Sequence, residues 1–228
     1  MTSIKAKEVD APKPVRQRLL DVAEGLFAEH GWNAVSIRTI AAAADVSLAA
    51  LNYHFGLKEN LLAEIFAIRA RPIAEARERL LAEFNARRDG TLEALIEAFL
   101  RPALAVGSDN GYGGAVFGKL RARLASEPEA VSRRILSDAF DESSKLYIEA
   151  LQRLLPELAP ADLAWRFHFL LGAMVYTMAD AGRIQSLTDG RCDPGDVDAA
   201  LRHMVPFMTA GFRAPVPKAS KGRQKIKR

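Results

Sequence analysis

A glycine-rich segment at residues 113–120 is the stretch of the sequence that comes closest to a motif for chemistry. It contains Gly118 followed by Lys119, the order found in loops that bind nucleotide phosphates. Such a loop also needs a Ser or Thr after the lysine to hold magnesium, and a β-strand before it. Here Leu120 follows the lysine, and the preceding residues show no strand pattern. We therefore interpret the segment as a loop that enters a helix.

The side chains that bind metals or act as nucleophiles are few and scattered. The sequence has no zinc-protease histidine pair and no Gly-x-Ser-x-Gly elbow, and its one cysteine, Cys192, cannot form an internal disulfide. We therefore expect no enzymatic activity, no metal site and no cofactor, and a reducing compartment. The four histidines are His30, His54, His168 and His203.

The composition is that of a globular protein without a membrane segment. Of the 228 residues, 49% are hydrophobic and 26% are charged, which allows a sizeable core. The most apolar run, 167–179, contains a histidine and is too short to span a bilayer. Residues 1–14 lack the apolar stretch of a secretory signal. We expect a cytoplasmic protein with no membrane partner.

Positive charge is concentrated at one end of the chain. The sequence pI is about 9.3, but seven of the 32 basic residues and none of the 28 acidic residues lie within 213–228. The preceding part has a small excess of acids, so the high pI alone is weak support for nucleic-acid binding. Residues 213–228 also contain Pro, Lys, Gly and Ser with little to bury, which predicts a disordered basic tail.

Helical spacing of apolar residues dominates and predicts an all-α fold. The first helix should end at Gly31, and a long helix should begin near Lys58 and kink or break at Pro72. Another should cover 91–100 and stop near Pro102. A loop at 107–114 and a helix at 115–124 should follow.

Three further helices complete the predicted fold. Residues 126–129, with Ser126 and Glu129, form the pattern of a capping box that opens a helix to about 155. The next helix carries apolar residues from 163 to 178. The last follows a cap at Asp193 and should bend at Pro206.

Residues 36–55 predict two short helices joined by a tight turn at 44–47. Alanines at 41–44 would let two helices cross closely, and Asp45 tolerates the positive φ that such a turn requires. This is the geometry of a helix-turn-helix, whose second helix enters the major groove of DNA.

Residues 15–62 resemble the N-terminal domain of the TetR family of repressors. The resemblance rests on FAEHGW at 27–32, SIRTIA at 36–41, ADVS at 44–47, and LNYHF at 51–55 with Lys58 and Glu59. Asp45 and Leu57 depart from the family pattern of a Gly and a Ser or Thr cap. The resemblance implies a flexible arm at 1–13, a three-helix helix-turn-helix domain at 14–60, and a larger helical ligand-binding and dimerisation domain at 61–212, before the tail.

The resemblance also implies which side chains read DNA bases. Ser47, Leu48 and Ala49 open the recognition helix, and the two apolar residues would meet thymine methyl groups. Arg38 would contact guanine, because the paired N–H donors of its guanidinium match two acceptors on the guanine edge. Asn52 would pair with an adenine edge.

Phosphate contacts are implied at four positions. Ser36 would also cap the second helix; the others are Tyr53, His54 and Lys58. Each such residue taken alone is more often structural or merely solvated, and only their joint spacing supports the DNA-binding interpretation.

The C-terminal part is similar to one branch of the family. Residues 164–172 and 203–207 resemble the PsrA-like branch, which is associated with fatty-acid or acyl-chain signals. The resemblance implies that the last two helices form a dimer interface, whereas a purely intramolecular core is the alternative. The interface candidates are Trp165, His168, Gly172, Tyr176, His203 and Phe207.

An effector pocket would lie among the middle helices, although plain core packing explains each of its candidate walls better. These are Phe99, Phe117, Leu120, Phe140, Tyr147 and Phe169. The resulting hypothesis is a homodimeric, sequence-specific regulator of operator DNA, a repressor released by a small apolar effector. The alternatives are a helical adaptor, or nonspecific DNA binding through the basic tail, which salt would abolish.

Overall fold

A computed structural model describes residues 13–87, 89–105, 114–127, 129–179 and 182–216. In these residues every regular element is a helix, so the predicted all-α class is confirmed. The helices are α1 (Val15–His30), α2 (Ile37–Ala43), α3 (Leu48–Phe55), α4 (Lys58–Ala86), α5 (Leu92–Ala105), α6 (Gly114–Ser126), α7 (Ala130–Leu154), α8 (Pro160–Ala179), α9 (Arg183–Leu187) and α10 (Val197–Arg213).

Helices α1, α2 and α3 pack into a small head around one apolar core. Helix α1 contributes Leu19 and Phe27, α2 contributes Ile40, and α3 contributes Leu51, all fully buried. Gly31 ends α1 with φ 84°, as predicted, because a positive φ suits glycine. The head is therefore a rigid platform for its exposed side chains.

Helix α4 joins the head to the rest of the molecule without a break. Its first turns bury Leu61 and Ile65 in the same core that holds α1 and α3, and its later turns pack against α5 and α7. In addition, Arg69 of α4 makes a two-pronged ion pair with the buried Glu24 of α1, with an Nη2–Oε2 distance of 2.6 Å. A displacement of α4 would therefore move the head.

Helices α5 to α8 and α10 form the larger helical body. Fully buried aromatic side chains fill its centre, and Phe66 of α4 stacks edge-on against Phe117 of α6 at 5.1 Å. Phe99 of α5 contacts both Tyr147 of α7 and Phe167 of α8, with ring centres 5.2 Å and 5.1 Å apart. The body therefore has a continuous core that reaches α4.

The helices continue past their prolines, although the sequence pattern placed a stop near Pro102, a kink or break at Pro72 and a bend at Pro206. Helix α4 runs through Pro72, α5 continues three residues past Pro102, and α10 runs through Pro206. A proline removes one backbone donor, but Pro72 and Pro206 lie on exposed faces, where water can satisfy the freed carbonyl. Packing on the opposite face maintains each helix.

Two predicted caps were wrong. Ser126 belongs to the last turn of α6 and donates to the Ala122 carbonyl, and the N-cap of α7 is Glu129 without a side-chain bond. Helix α10 is capped by Asp196, whose Oδ1 accepts from the Ala199 N–H, rather than by Asp193. Helix α9 was not predicted. The arm at 1–12, the segment 106–113 and most of the tail, 217–228, lie outside the described residues.

Candidate nucleic-acid interface and effector site

The turn between α2 and α3 has the geometry that a helix-turn-helix requires. Asp45 adopts φ 51°, as predicted, and its carbonyl accepts a bond from Arg18 of α1 at 3.3 Å. The Val46 N–H returns to the Ala41 carbonyl at 3.0 Å. The direction in which α3 leaves the turn is therefore fixed by local bonds.

Helix α3 presents a polar face to the outside. Ala49, Asn52 and Tyr53 are exposed and share one face, because they are spaced three and four residues apart. Tyr53 is 88% exposed, which is unusual for an aromatic ring. Ser47 caps the helix by accepting from the Ala50 N–H at 3.1 Å. Asn52 and Tyr53 together offer an amide and a phenol for hydrogen bonds.

Other predicted contact residues differ in exposure. Leu48 is half-buried and packs against the core, so only part of its side chain faces outward, and His54 is half-buried beside Tyr53 at a ring distance of 5.4 Å. Arg38 is exposed on α2. Ser36 caps α2, as predicted, by accepting from the Thr39 N–H at 3.1 Å. The hydroxyls of Ser36 and Thr39 also bond to each other.

Lys58 occupies a different environment from the one its predicted role requires. Its Nζ donates to the carbonyl oxygens of Trp32 at 2.7 Å and Val35 at 2.9 Å. Burial lowers the pKa of Lys58, while the charge of Glu127 acts in the opposite direction. The ammonium thus holds the α1–α2 loop against α4, a structural role that differs from the predicted phosphate contact.

The head also contacts the start of α7 and the end of α6. Glu127 accepts the Trp32 N–H at 3.3 Å, and Asn33 donates to Glu129 at 2.6 Å. Arg134 of α7 forms an ion pair with Glu59 of α4. Helix α1 packs along α6 as well. A shift of α6 or α7 would therefore reach the α1–α2 loop directly.

Of the six predicted pocket walls, five are buried and one is exposed. Phe99, Phe117, Leu120 and Tyr147 are fully buried core residues. Phe140 lines a cleft of about 510 Å³ between α6, α7 and α8. Phe169 is 60% exposed and points away from the core, because α8 buries Phe167 and Leu170 on its other face. The assignment of Phe169 as an inner wall was wrong.

Sequence reasoning missed two arginines inside the body. Arg77 of α4 is 0% exposed and Arg121 of α6 is 4% exposed. A signal was present, because Arg77 falls on the stripe of buried residues formed by Ala70, Ile73 and Leu81 at helical spacing. A charged residue on such a stripe indicates a buried charge.

Helices α8 and α10 carry exposed apolar side chains in a row. Trp165, Gly172 and Tyr176 are exposed on one face of α8, and Phe169 extends this row. On α10, Phe207 is 74% exposed and lies one turn after the exposed His203. A groove between the two helices is lined by both of these residues. No helix in the described part of the chain is long and apolar enough to cross a membrane.

Comparison with known families agrees with this architecture. Residues 19–65 match the family model described as bacterial regulatory proteins of the tetR family. Residues 97–211 match the one described as the tetracyclin repressor-like C-terminal domain. The fold is a helix-turn-helix head on a helical C-terminal body, and the chain belongs to the TetR family.

Individual relatives match only part of the chain. The chain is 40% identical over 65 residues to the HTH-type transcriptional repressor KstR2 of Rhodococcus jostii, which is 28% of this chain and 32% of that protein. It is 36% identical over 90 residues to the dual regulator CecR of Shigella flexneri, covering 36% of this chain and 40% of that protein. The match thus spans a third to two fifths of these relatives.

A solved structure resembles nearly the whole chain. The TetR-family regulator PfmR of Thermus thermophilus covers 91% of this chain and 100% of its own, with a TM-score of 0.59 and 20% identity. This likeness extends the shared fold to the helical body.

Proposed function

We propose that the protein is a homodimeric, sequence-specific DNA-binding transcription regulator, a repressor that a small apolar effector releases from its operator. The observation that carries the proposal is the exposed face of α3. Asn52 and Tyr53 project from a helix whose start is fixed by the Ser47 cap and the Asp45 turn. A polar, exposed face on a short helix above a closed apolar core suits insertion into the major groove.

The side chains on this surface divide between bases and backbone. Asn52 suits the adenine edge and Arg38 the guanine edge, since each offers a paired arrangement of hydrogen bonds. Tyr53, His54 and Ser36 suit phosphates. Ala49 and the exposed part of Leu48 suit thymine methyl groups. An all-helical adaptor would have no need of this arrangement.

The second copy would dock on the exposed faces of α8 and α10. Trp165, Phe169 and Tyr176 on α8 and Phe207 on α10 form an apolar surface, and exposed Gly172 would let a partner helix approach closely because it has no side chain. A twofold partner supplies the second recognition helix that a two-part operator needs.

Effector binding would act through the contacts between body and head. An effector among α4 to α8 would favour a state in which α6 and α7 are displaced. Glu127 and Glu129 would then pull the α1–α2 loop with them and change the separation of the two heads. By linkage, operator DNA weakens effector binding by the same factor. The PsrA-like pattern of 164–172 and 203–207 supports a fatty-acid or acyl-chain effector.

Fluorescence anisotropy on duplexes tiled across the DNA upstream of the gene tests the proposal at about 0.15 M salt. We expect one duplex to bind about a thousandfold tighter than its scrambled form, and Arg38→Ala with Asn52→Ala to abolish the difference. A variant with the six basic residues of 217–228 replaced by Gln should keep the specific complex. If the wild type instead bound every duplex equally and in a salt-sensitive way, and this variant lost that binding, the result would establish nonspecific binding through the tail.

A further inference from the structure

Two positive charges are buried in the helical body. Arg77 and Arg121 lie inside the body, and in the described part of the chain no carboxylate forms an ion pair with either. Buried charges in proteins are normally paired, since an unpaired ion loses its hydration without compensation. Their presence therefore calls for an explanation outside core packing.

The neighbours of Arg77 satisfy its guanidinium only in part. Its Nε donates to the Phe99 carbonyl at 3.0 Å, and Nη2 approaches the Met174 sulfur at 3.5 Å. The guanidinium carbon lies 3.7 Å from the centre of the Phe99 ring. The third nitrogen, Nη1, is buried and has no hydrogen-bond partner among the described residues. Arg77 thus has donors free for a ligand.

Arg121 lies against the same helix one turn further on. Its Nη1 approaches the Met178 sulfur at 3.8 Å, and its guanidinium carbon lies 3.9 Å from the Phe140 ring centre. Gly118 makes this possible, because a Cβ there would lie 2.9 Å from the Met178 carbonyl oxygen. Without that Cβ, α6 approaches α8 closely. The two guanidiniums therefore contact successive turns of α8.

The two charges repel each other. Burial, and after it the charge of Arg121, lowers the pKa of Arg77 to about 9, and burial lowers the pKa of Arg121 to about 10. Both groups therefore keep their charge at neutral pH. An anion held between them would offset both the lost hydration and the repulsion.

A cleft in the helical body reaches one of the two arginines. Arg121 lines the cleft of about 510 Å³ between α6, α7 and α8, with Phe140, Leu171 and Val175 as apolar walls. The cleft lies within the size range of small-molecule sites, roughly 300–1,000 Å³. Asp141 also lines it, so an anionic group is favoured at the arginine end and disfavoured near Asp141.

We propose that Arg77 and Arg121 bind the anionic group of the effector, a carboxylate or phosphate carried on an apolar chain that occupies the cleft. This inference rests on the proposed effector control and names the ligand's chemical class. A guanidinium offers a planar fork that matches either anion. The apolar walls would contact the apolar chain of the effector. Because Arg121 belongs to α6, binding of the anion would act directly on that helix.

Calorimetric titration of the full-length protein with four ten-carbon probes tests the proposal. Decanoate and decanoyl-coenzyme A carry a carboxylate and phosphates respectively, decanol is neutral, and decylamine is cationic. We expect at least one anion to bind about tenfold or more tightly than decanol. Whichever anion binds identifies either the carboxylate or the phosphate as the recognised group. Equal affinity for decanoate, decanoyl-coenzyme A and decanol, or no binding of either anion at about 1 mM, would overturn the proposal.

Arg77→Met and Arg121→Met should each weaken anion binding about tenfold or more and leave decanol binding unchanged. Arg79→Met and Arg123→Met are matched controls, since these arginines are exposed on the same two helices, and they should bind all probes as the wild type does. Ligand-free Arg77→Met should melt at or above the wild-type Tm, because it removes an unpaired buried charge. If Arg77→Met lowered the Tm and weakened the binding of every probe equally, Arg77 would have a structural role and not a ligand-binding one.

The same variants separate this inference from the proposed function. Without ligand, Arg77→Met and Arg121→Met should bind the operator as the wild type does. Arginine-dependent anion binding in a protein that binds no operator would contradict only the regulator proposal. Specific operator binding without any preference for anions would contradict only the assignment of the arginines.

Discussion

The ammonium of Lys58 lies 4.0 Å from the centre of the Trp32 ring and donates to the carbonyl oxygen of the same residue at 2.7 Å. One side chain at the start of α4 therefore holds the α1–α2 loop by a cation–π contact and by hydrogen bonds to Trp32 and Val35. Glu127 completes the cluster by accepting the Trp32 N–H. Trp32 is thus one of the residues at which head and body meet, and it is held from both sides.

Replacement of Lys58 should destabilise the head without removing a DNA contact. Lys58→Met leaves the Trp32 and Val35 carbonyls without this donor, and the loss of stability should be about 1–3 kcal/mol. Thermal unfolding should show a lower Tm, while the salt dependence of operator binding stays as in the wild type. If instead the slope of log affinity against log salt concentration fell by about one while the Tm stayed unchanged, Lys58 would be a phosphate contact. Lys145→Met, at an exposed lysine of α7, is the control.

Replacement of the base-reading residue should separate specific from nonspecific binding. Asn52→Ala should weaken the operator complex by about 1–3 kcal/mol and leave scrambled DNA unaffected. Tyr53→Phe should weaken both complexes, because a phosphate contact carries no sequence information. Anisotropy titrations on the two duplexes measure this. If Asn52→Ala lost the same affinity for both duplexes, Asn52 would not be a base-recognising residue.

The head was predictable because its signals are local and closely spaced. The Ser36 cap, the Asp45 turn and the Gly31 stop each depend on neighbouring backbone atoms, so the sequence carries them directly. Lys58 shows the limit of this reasoning. Its resemblance-based role assumed a side chain that reaches outward, and the structure turns it toward two carbonyl groups, which depends on the position of the preceding loop.

The body was harder to predict because its residues depend on distant partners. Phe169 was assigned inward, but it shares the face of Trp165 and Tyr176, four residues before and seven after it, rather than that of Phe167. Arg77 contacts residues 22 and 97 positions away in the chain. No local pattern reveals such neighbours, although the helical stripe shows that Arg77 is buried.

The exposed aromatic side chain of α10 should govern assembly. Phe207→Arg places a charge in the proposed interface, where it would lose hydration without a partner. Sedimentation equilibrium should show a mass near that of one 25.0 kDa chain instead of two, and operator affinity should fall with it. Ile68→Arg, at an exposed position of α4, should leave the mass unchanged. A Phe207→Arg protein that keeps the wild-type mass would exclude this face.

The pair between Glu24 and Arg69 should give stability a defined pH dependence. Burial raises the pKa of Glu24, and the hydrogen bond and charge of Arg69 only partly oppose it. The folded protein thus binds this proton more tightly than the unfolded chain does. The resulting contribution is fully present below the ordinary pKa of 4.5 and is lost as the pH rises through the raised value.

Urea unfolding of wild type and Glu24→Gln between acid and neutral pH isolates this group. The stability of the wild type relative to the variant should fall as the pH increases past 4.5. Glu78→Gln is the control, since Glu78 lies exposed on α4 and should add no such dependence. A relative stability of the wild type that rises over this range would contradict the direction of the shift.

Loss of Glu127 should uncouple the effector from DNA without affecting either site. Glu127→Ala removes the bond from the end of α6 to the Trp32 N–H and leaves the Asn33–Glu129 bond, so an α6 displacement would pull the loop less. We expect decanoate, or decanoyl-coenzyme A if that is the bound anion, to retain its affinity in calorimetry and the ligand-free protein to retain its operator affinity. The fold-change in operator affinity that the probe causes should shrink toward one, since coupling is the quantity lost. Glu142→Ala, at an exposed acid of α7, should keep the full response. If Glu127→Ala also keeps it, the signal travels to the head along α4 and its Glu24–Arg69 pair instead.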